Sequence, residues 1–264
     1  MDLVSAEREI CPKRSPICDR YQAMRWAIFS DIHGNMPALE AVLASIEEQS
    51  VDQLLCLGDL VGYGAQPHEV VERVRELDCT VIVGNHDLAA IGKLDTSCFN
   101  AYAQEAVQWT ADQLTDDDRS YLDSLPLKLD VGPISAVHGT RDEPDEFHYL
   151  QSLDHAQELL DEQPRFLGVY GHTHVPLSFL QRCGRVTLSF AQELDLSTFE
   201  RVLVNVGSVG QPRDEDSRAA YVLFDAETRQ LTIHRVEYDI ESAVSQILAA
   251  GLPTLLAERL RHGV

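Results

Sequence analysis

The chain has 264 residues, 44% hydrophobic and 24% charged, the make-up of a globular protein with its own core. Its 21 lysines and arginines face 43 aspartates and glutamates, and the resulting formal net charge of −22 repels nucleic-acid backbones and anionic lipid, so a large nucleic acid is not an expected partner. No apolar run approaches the roughly 18 to 20 residues of a membrane helix, the N-terminus lacks a signal-like apolar stretch, and its acidic residues argue against a transit peptide; the expected compartment is the cytoplasm, with no membrane partner.

The six cysteines (Cys11, Cys18, Cys56, Cys79, Cys98 and Cys183) form no CxxC pair and read as free thiols in a reducing compartment. Residues 1–24 show no sustained periodicity and are expected to be a loosely ordered extension, leaving 25–264 as the domain proper. Residues 25–30 form a short apolar strand. Asn35 can cap a helix over 36–48, whose Leu39, Val42, Leu43 and Ile46 fall on one stripe. A strand at 53–57, a helix at 67–77 and a strand at 80–83 continue a β-α-β-α-β alternation, the mark of a layered α/β sheet. Residues 93–130 break that rhythm as a helical insertion, with helices at 101–114 and 116–125. Strands resume at 134–137 and 166–170. Beyond them the chain reads as antiparallel. Strands 177–181 and 185–190 flank a Cys183-Gly184 turn, a further strand spans 201–206, and strands 220–224 and 231–236 flank another turn. Helices at 240–250 and 253–261 close the chain. There are no repeats and no low-complexity segment.

Five short segments, each following an apolar strand, hold most of the chemistry-bearing residues. They are Ser30-Asp-Ile-His-Gly-Asn35, Gly58-Asp59, Gly84-Asn-His-Asp87, Val137-His-Gly139 and Gly171-His-Thr-His174. Ligands of α/β sheets bind at the carboxyl ends of strands, so five such loops converge on one edge. They supply Asp31, His33, Asp59, Asn85, His86, His138, His172 and His174, oxygen and imidazole donors with no thiolate, a set suited to Mn, Fe, Zn, Co or Ni. A single Gly-Asp is usually a turn and a lone His-x-His usually binds nothing. The signal is the conjunction, which a packed core does not require.

In this order the motifs resemble the calcineurin-like metallophosphoesterase superfamily, from about Arg25 to the C-terminus, and within it the small bacterial and archaeal enzymes labelled diadenosine tetraphosphatase-like or phosphodiesterase-like. The resemblance implies a four-layer α/β/β/α sandwich of two mixed β-sheets flanked by helices. It implies two divalent metal ions, manganese or iron favoured, between the loop ends of the sheets. One would take Asp31, His33 and His174, the other Asn85, His138 and His172, and Asp59 would bridge them. It further implies in-line attack of a metal-bridging hydroxide on a phosphate ester, with His86 donating a proton or hydrogen bond to the leaving group. Two dications, two aspartates and a hydroxide sum to +1, a local reversal of sign that draws phosphate into an acidic protein. Asp87 either orients His86 or caps the following helix.

The likeness weakens after Asp59. Relatives that act on phosphoproteins or symmetrical dinucleoside tetraphosphates carry a phosphate-binding arginine there, whereas this chain reads Gly58-Asp-Leu-Val-Gly62-Tyr63-Gly64. Arg213, Arg141 and His148 are candidates to take over that contact, and each has a solvated surface position as its alternative; Asn85 and His86 also face the expected substrate position. Tyr63, Tyr102 and Trp109 either wall a ring-binding cleft or serve in packing. The expected activity is hydrolysis of a small phosphorylated substrate, a phosphodiester or nucleotide. A phosphomonoesterase or phosphoprotein phosphatase and a non-catalytic scaffold of the same fold are the rivals. A β-lactamase-like zinc site is disfavoured, because His172-Thr-His174 does not continue into the Asp-His that class needs.

Overall fold

A computed structural model describes residues 23–264. The expected N-terminal extension lies outside the described residues except for its last two. The chain opens with β1 (Arg25–Phe29), α1 (Met36–Glu47), β2 (Gln53–Cys56), α2 (Pro67–Glu76) and β3 (Cys79–Val81). β1, β2 and β3 are parallel neighbours, as crossover helices require. Asn35 caps α1 as expected, its side chain accepting from the Ala38 N–H at 3.2 Å. Pro37 follows in the first turn, where its missing N–H costs no helical hydrogen bond.

The middle of the chain gives α3 (Asn85–Ala90), α4 (Ala101–Gln113), α5 (Asp116–Ser124), β4 (Lys128–Val131), β5 (Ile134–Val137), α6 (Leu153–Glu162) and β6 (Leu167–Tyr170). The last third gives β7 (Leu177–Arg182), β8 (Arg185–Ser189), β9 (Glu193–Asp195), β10 (Arg201–Asn205), β11 (Ala219–Asp225), β12 (Gln230–Val236), α7 (Ile240–Ala249) and α8 (Thr254–His262). Residues 93–130, expected as a helical insertion, contain α4 and α5; Leu114 and Leu122 are buried in the same apolar layer as α1 and α2.

Two six-stranded mixed sheets result, ordered β3-β2-β1-β11-β12-β9 and β4-β5-β6-β10-β7-β8. They pack face to face because alternate residues point to opposite faces. Trp26 and Ile28 of β1 meet Val202 and Val204 of β10 in the layer between the sheets. Ala27 and Phe29 turn outward onto α1 and α2, and Leu203 turns the other way onto Ala156 and Leu160 of α6. Both faces of the central strands are thus covered, which is why they read as continuous apolar runs. Each such side chain contributes about 1.5–3 kcal/mol on burial.

The reading of everything after β6 as antiparallel needs correction: β10 is antiparallel to β7 but parallel to β6. α6, β4 and β9 were not expected, and α3 only as a helix that Asp87 could cap. α3 has six residues, β4 four and β9 three, too few to display a period. α6 did carry a signal, Ser152 accepting from the His155 N–H ahead of Ala156 and Leu160 at helical spacing.

Candidate metal centre

The loops after β1, β2, β3, β5 and β6 meet at one end of the sandwich and bring together Asp31, His33, Asp59, Asn85, His138, His172 and His174. None of the seven is more than 6% exposed. Five of them, Asp31, His33, Asp59, His172 and His174, have φ between 51° and 65°, the left-handed region that side chains rarely occupy. Such positions cost of order 1 kcal/mol or more each and persist only where neighbours enforce them. Here the loops are stitched to one another. Asp31 N–H donates to Gly58 O (3.0 Å), His33 N–H to Asp59 O (3.0 Å), Gly171 N–H to His138 O (3.0 Å) and Gly210 N–H to Asp31 O (2.9 Å). Two glycines permit the convergence. A Cβ on Gly84 would lie 2.1 Å from Asp59 Oδ1, and one on Gly171 would lie 2.5 Å from Asp31 Oδ2.

Three imidazoles are oriented alike. Nδ1 of His33, His138 and His174 lies 3.0, 2.7 and 2.5 Å from the carbonyl oxygens of Val61, Leu57 and Gln211. A carbonyl can only accept, so each Nδ1 carries the proton and each Nε2 turns a lone pair into the centre. There the donors crowd. His33 Nε2 and His174 Nε2 are 3.1 Å apart, and His138 Nε2 is 3.1 Å from Asn85 Oδ1. Burial and the His174 and His86 imidazoles hold His33, and burial and Arg213 hold His174, below the usual histidine pKa, so a shared proton does not resolve that contact. His172 Nε2 is buried with no hydrogen-bond partner, and burial with His138 beside it pushes its pKa down to about 3. The His33 and His174 lone pairs aimed at each other across 3.1 Å, with carboxylates beside them, fit a cation in that space.

The donors fall into two groups, Asp31 with His33 and His174, and Asp59 with His138 and His172; within each, the ligand atoms lie within 4.8 Å of one another. Asn85 reaches the second group through its amide oxygen. Asp59 Oδ2 straddles both, 3.2 Å from His138 Nε2 and 3.6 Å from His33 Nε2. Asp31 Oδ1 is 3.1 Å from His174 Nε2. Burial alone would raise both carboxyls, but the surrounding imidazoles hold both well below the carboxylate range. Burial alone would lower His138, yet Asp59 and Asp31 carry it up to about 9, and a metal ion competes for the position of that proton.

His86 adjoins this cluster. Its N–H donates to Asp59 Oδ1 (2.8 Å), its ring packs 4.4 Å from Tyr63, 4.9 Å from His33 and 4.9 Å from Phe99, and its Nδ1 is buried without a partner. Burial pushes its pKa down to about 4 despite Asp59, so the ring is neutral near pH 7. Asp87 does not orient it. One Asp87 oxygen accepts from Val61 N–H (3.1 Å) and the other from Gly84 N–H (3.0 Å), which is the capping alternative.

Of the expected substrate contacts, Arg213 is at the centre's edge. Its N–H donates to His174 O (3.3 Å) and its guanidinium lies over the Tyr63 ring at 5.7 Å. Arg141 does not line the cleft and pairs with Asp130 of β4 at 2.8 Å, so that expectation is corrected: the carboxylate on β4 holds it. His148 pairs with Glu143 at the rim of a cleft of about 680 Å³ floored by Asn85, His86 and His172. Tyr63 lines the cleft, whereas Tyr102 does not and Trp109 joins the apolar cluster of α4, α7 and α8. The sequence did not single out Phe99, Phe147 or Tyr149 as cleft walls; they lie in loops, and only folding brings them to the centre.

A domain model described as the calcineurin-like phosphoesterase superfamily domain matches residues 24–229. An uncharacterized protein of Methanocaldococcus jannaschii is 37% identical over 241 residues, spanning 90% of this chain and 97% of that one. The crystal structure of a metallophosphoesterase from Sphaerobacter thermophilus is 41% identical with a TM-score of 0.82, covering 92% of this chain and all of that one. A hypothetical protein from Pyrococcus horikoshii OT3 is 25% identical with a TM-score of 0.75, covering 91% of this chain and 98% of that one.

Proposed function

The chain belongs to the calcineurin-like phosphoesterase superfamily, and on that premise we propose that it is a dinuclear metal-dependent hydrolase of phosphate esters, acting on diesters or nucleotides with an organic leaving group. The observation that carries the reading is the arrangement of donors: two buried groups with inward-facing Nε2 lone pairs and a straddling Asp59, opening beside His86 onto the cleft. A scaffold without chemistry gains nothing from five strained side-chain backbones and an unpartnered histidine at the mouth of that cleft. When bound, a metal pair supplies Lewis-acid stabilisation of the phosphoryl charge and a nucleophile at neutral pH.

The chain's own residues do the rest. Asp31, His33 and His174 would hold one ion, Asn85, His138 and His172 the other, and Asp59 both. The backbone carbonyls of Val61, Leu57 and Gln211 lock three imidazoles in the ligating tautomer. Arg213, lying over Tyr63, would meet a phosphate oxygen in lieu of the arginine missing after Asp59. His86, neutral and with its Nδ1 unpartnered, would donate a hydrogen bond to the departing ester oxygen. The mix of carboxylate, amide and imidazole donors favours manganese or iron. The four described cysteines are free, and we place the protein in the cytoplasm with a small phosphorylated substrate. Among the described residues no helix is long and apolar enough to cross a membrane.

The test is a leaving-group series with metal-loaded wild type and His86→Ala. The variant is expected to keep its metal and to lose about 10²–10⁴-fold in turnover on esters of poor leaving groups, with the defect shrinking toward nitrophenyl esters. Absence of hydrolysis of every ester by metal-replete wild type would instead favour the scaffold.

A further inference from the structure

The cleft beside the metal centre has a chemical character of its own. One wall comes from the segment between α3 and α4, where Phe99 presses against His86; the other comes from the segment between β5 and α6, where Tyr149 lies 4.1 Å from the His172 ring. Tyr63 and Phe147 add two more rings at the base. Tyr149 is 47% exposed, so its ring is held open to solvent beside the metal-site imidazole instead of being packed away. Among the described residues no lysine or arginine lines the cleft, while Asp95, Asp145 and Glu146 do. The carboxylate of Asp95 is taken by Ser97, whereas Asp145 and Glu146 form no salt bridge among the described residues. Two buried imidazole nitrogens without partners, Nδ1 of His86 and Nε2 of His172, belong to residues of its floor. About 680 Å³ is ample for an organic group and far more than a bare phosphate needs.

Resting on the phosphoesterase reading, we propose that this cleft is the leaving-group subsite and that it selects an alcohol bearing an organic cation, a substituted ammonium held between Phe99 and Tyr149 and facing Asp145 and Glu146, while Arg213 over Tyr63 stays on the phosphate side. Aromatic faces attract such cations through the ring quadrupole, and free carboxylates at the rim add attraction at longer range. A second phosphate in this cleft would meet Asp145 and Glu146 and, among the lining residues, no lysine or arginine. Dinucleoside polyphosphates are therefore disfavoured, and zwitterionic diesters with one phosphate and one ammonium are favoured. Water is consumed, the P–O bond to the ammonium alcohol breaks, and a phosphate monoester of the retained group remains.

Two methyl phosphodiesters provide the test, one of choline and one of 3,3-dimethylbutanol, alike in shape and different by one charge. The ratio of their kcat/KM values is measured for the metal-loaded full chain, for Tyr149→Ala and for Asp145→Asn/Glu146→Gln. Comparing ratios between proteins cancels the different intrinsic reactivity of the two alcohols. The wild-type ratio should exceed that of Tyr149→Ala by about tenfold, the scale of a desolvated cation–π contact, and that of the double variant by a smaller factor, because its carboxylates are solvent-exposed. An unchanged ratio overturns the proposal. Calorimetry with the free alcohols reads the same subsite without turnover. Choline should bind more tightly than dimethylbutanol and more weakly in the variants, whereas equal binding, or tighter binding of benzyl alcohol than of choline, overturns the proposal in favour of a neutral site. Choline binding in a protein that hydrolyses no ester would leave the subsite standing and sink the phosphoesterase reading instead.

Discussion

Replacing Asp87 by alanine tests the capping role that its two backbone contacts assign to it. Its carboxylate is fully buried and accepts from Val61 N–H and Gly84 N–H, tying the segment after Asp59 to the start of α3. Removing it strands two buried donors, at about 1–3 kcal/mol each. An offset exists, because burial and the nearby charge of Asp59 push the Asp87 carboxyl up to about 7, and that strain disappears with the side chain. The expected net loss is therefore in the lower part of the range, about 2–3 kcal/mol, a large share of the roughly 5–15 kcal/mol of a typical domain. Urea denaturation in excess chelator should show it as a midpoint shift of about 1 M at an m-value of roughly 2–3 kcal/mol per molar. Asn85 opens α3, so metal binding by the second donor group should weaken as well. Asp87→Asn keeps one acceptor but points an N–H at the other donor, so it should lose less stability without being neutral. A variant that keeps its stability within about 0.5 kcal/mol while losing turnover more than tenfold would refute this reasoning and return Asp87 to a direct role with His86.

Asp59→Ala should abolish binding of both ions, because its Oδ2 straddles the two donor groups, whereas Asp31→Ala should spare one; elemental analysis showing the same single ion lost in both would contradict the bridge. Gly84→Ala removes no donor, but its Cβ would sit 2.1 Å from Asp59 Oδ1, so metal content should fall below two equivalents per chain, and full occupancy would show that the loop can yield. His68 Nδ1 lies 2.8 Å from Asp118, and that hydrogen bond raises the His68 pKa. The linked stability is fully present below the unfolded pKa of about 6.5 and is lost as pH rises through the higher folded value. The side chain is largely solvated, so less than about 1 kcal/mol is at stake, and His68→Gln should flatten that part of the stability–pH curve; an unchanged slope would assign it to another group.

The order of motifs along the chain carried the family of this protein and its candidate donors. Apolar strands such as residues 25–30 advertise themselves because both faces are buried, and a strand followed at once by Asp31-Ile-His33 or His172-Thr-His174 marks a loop whose side chains meet at a sheet edge. Capping at Asn35 was legible for the same local reason. Other features depend on contacts between segments far apart in the chain. The direction of β10 is set by which strands flank it in the second sheet, and nothing within residues 201–205 encodes that it runs parallel to β6. Arg141 follows a candidate ligand by three residues, yet an aspartate on β4 claims it, while Arg213, far from Asp59 in sequence, arrives beside the centre because its N–H is bonded to His174 O. Asp87 was ambiguous until Val61 and Gly84 were seen to face its two oxygens. The cleft is the extreme case: Tyr63, Phe99 and Tyr149 belong to three separate loops with no shared period, and only the closing of the two sheets against each other makes one surface of them.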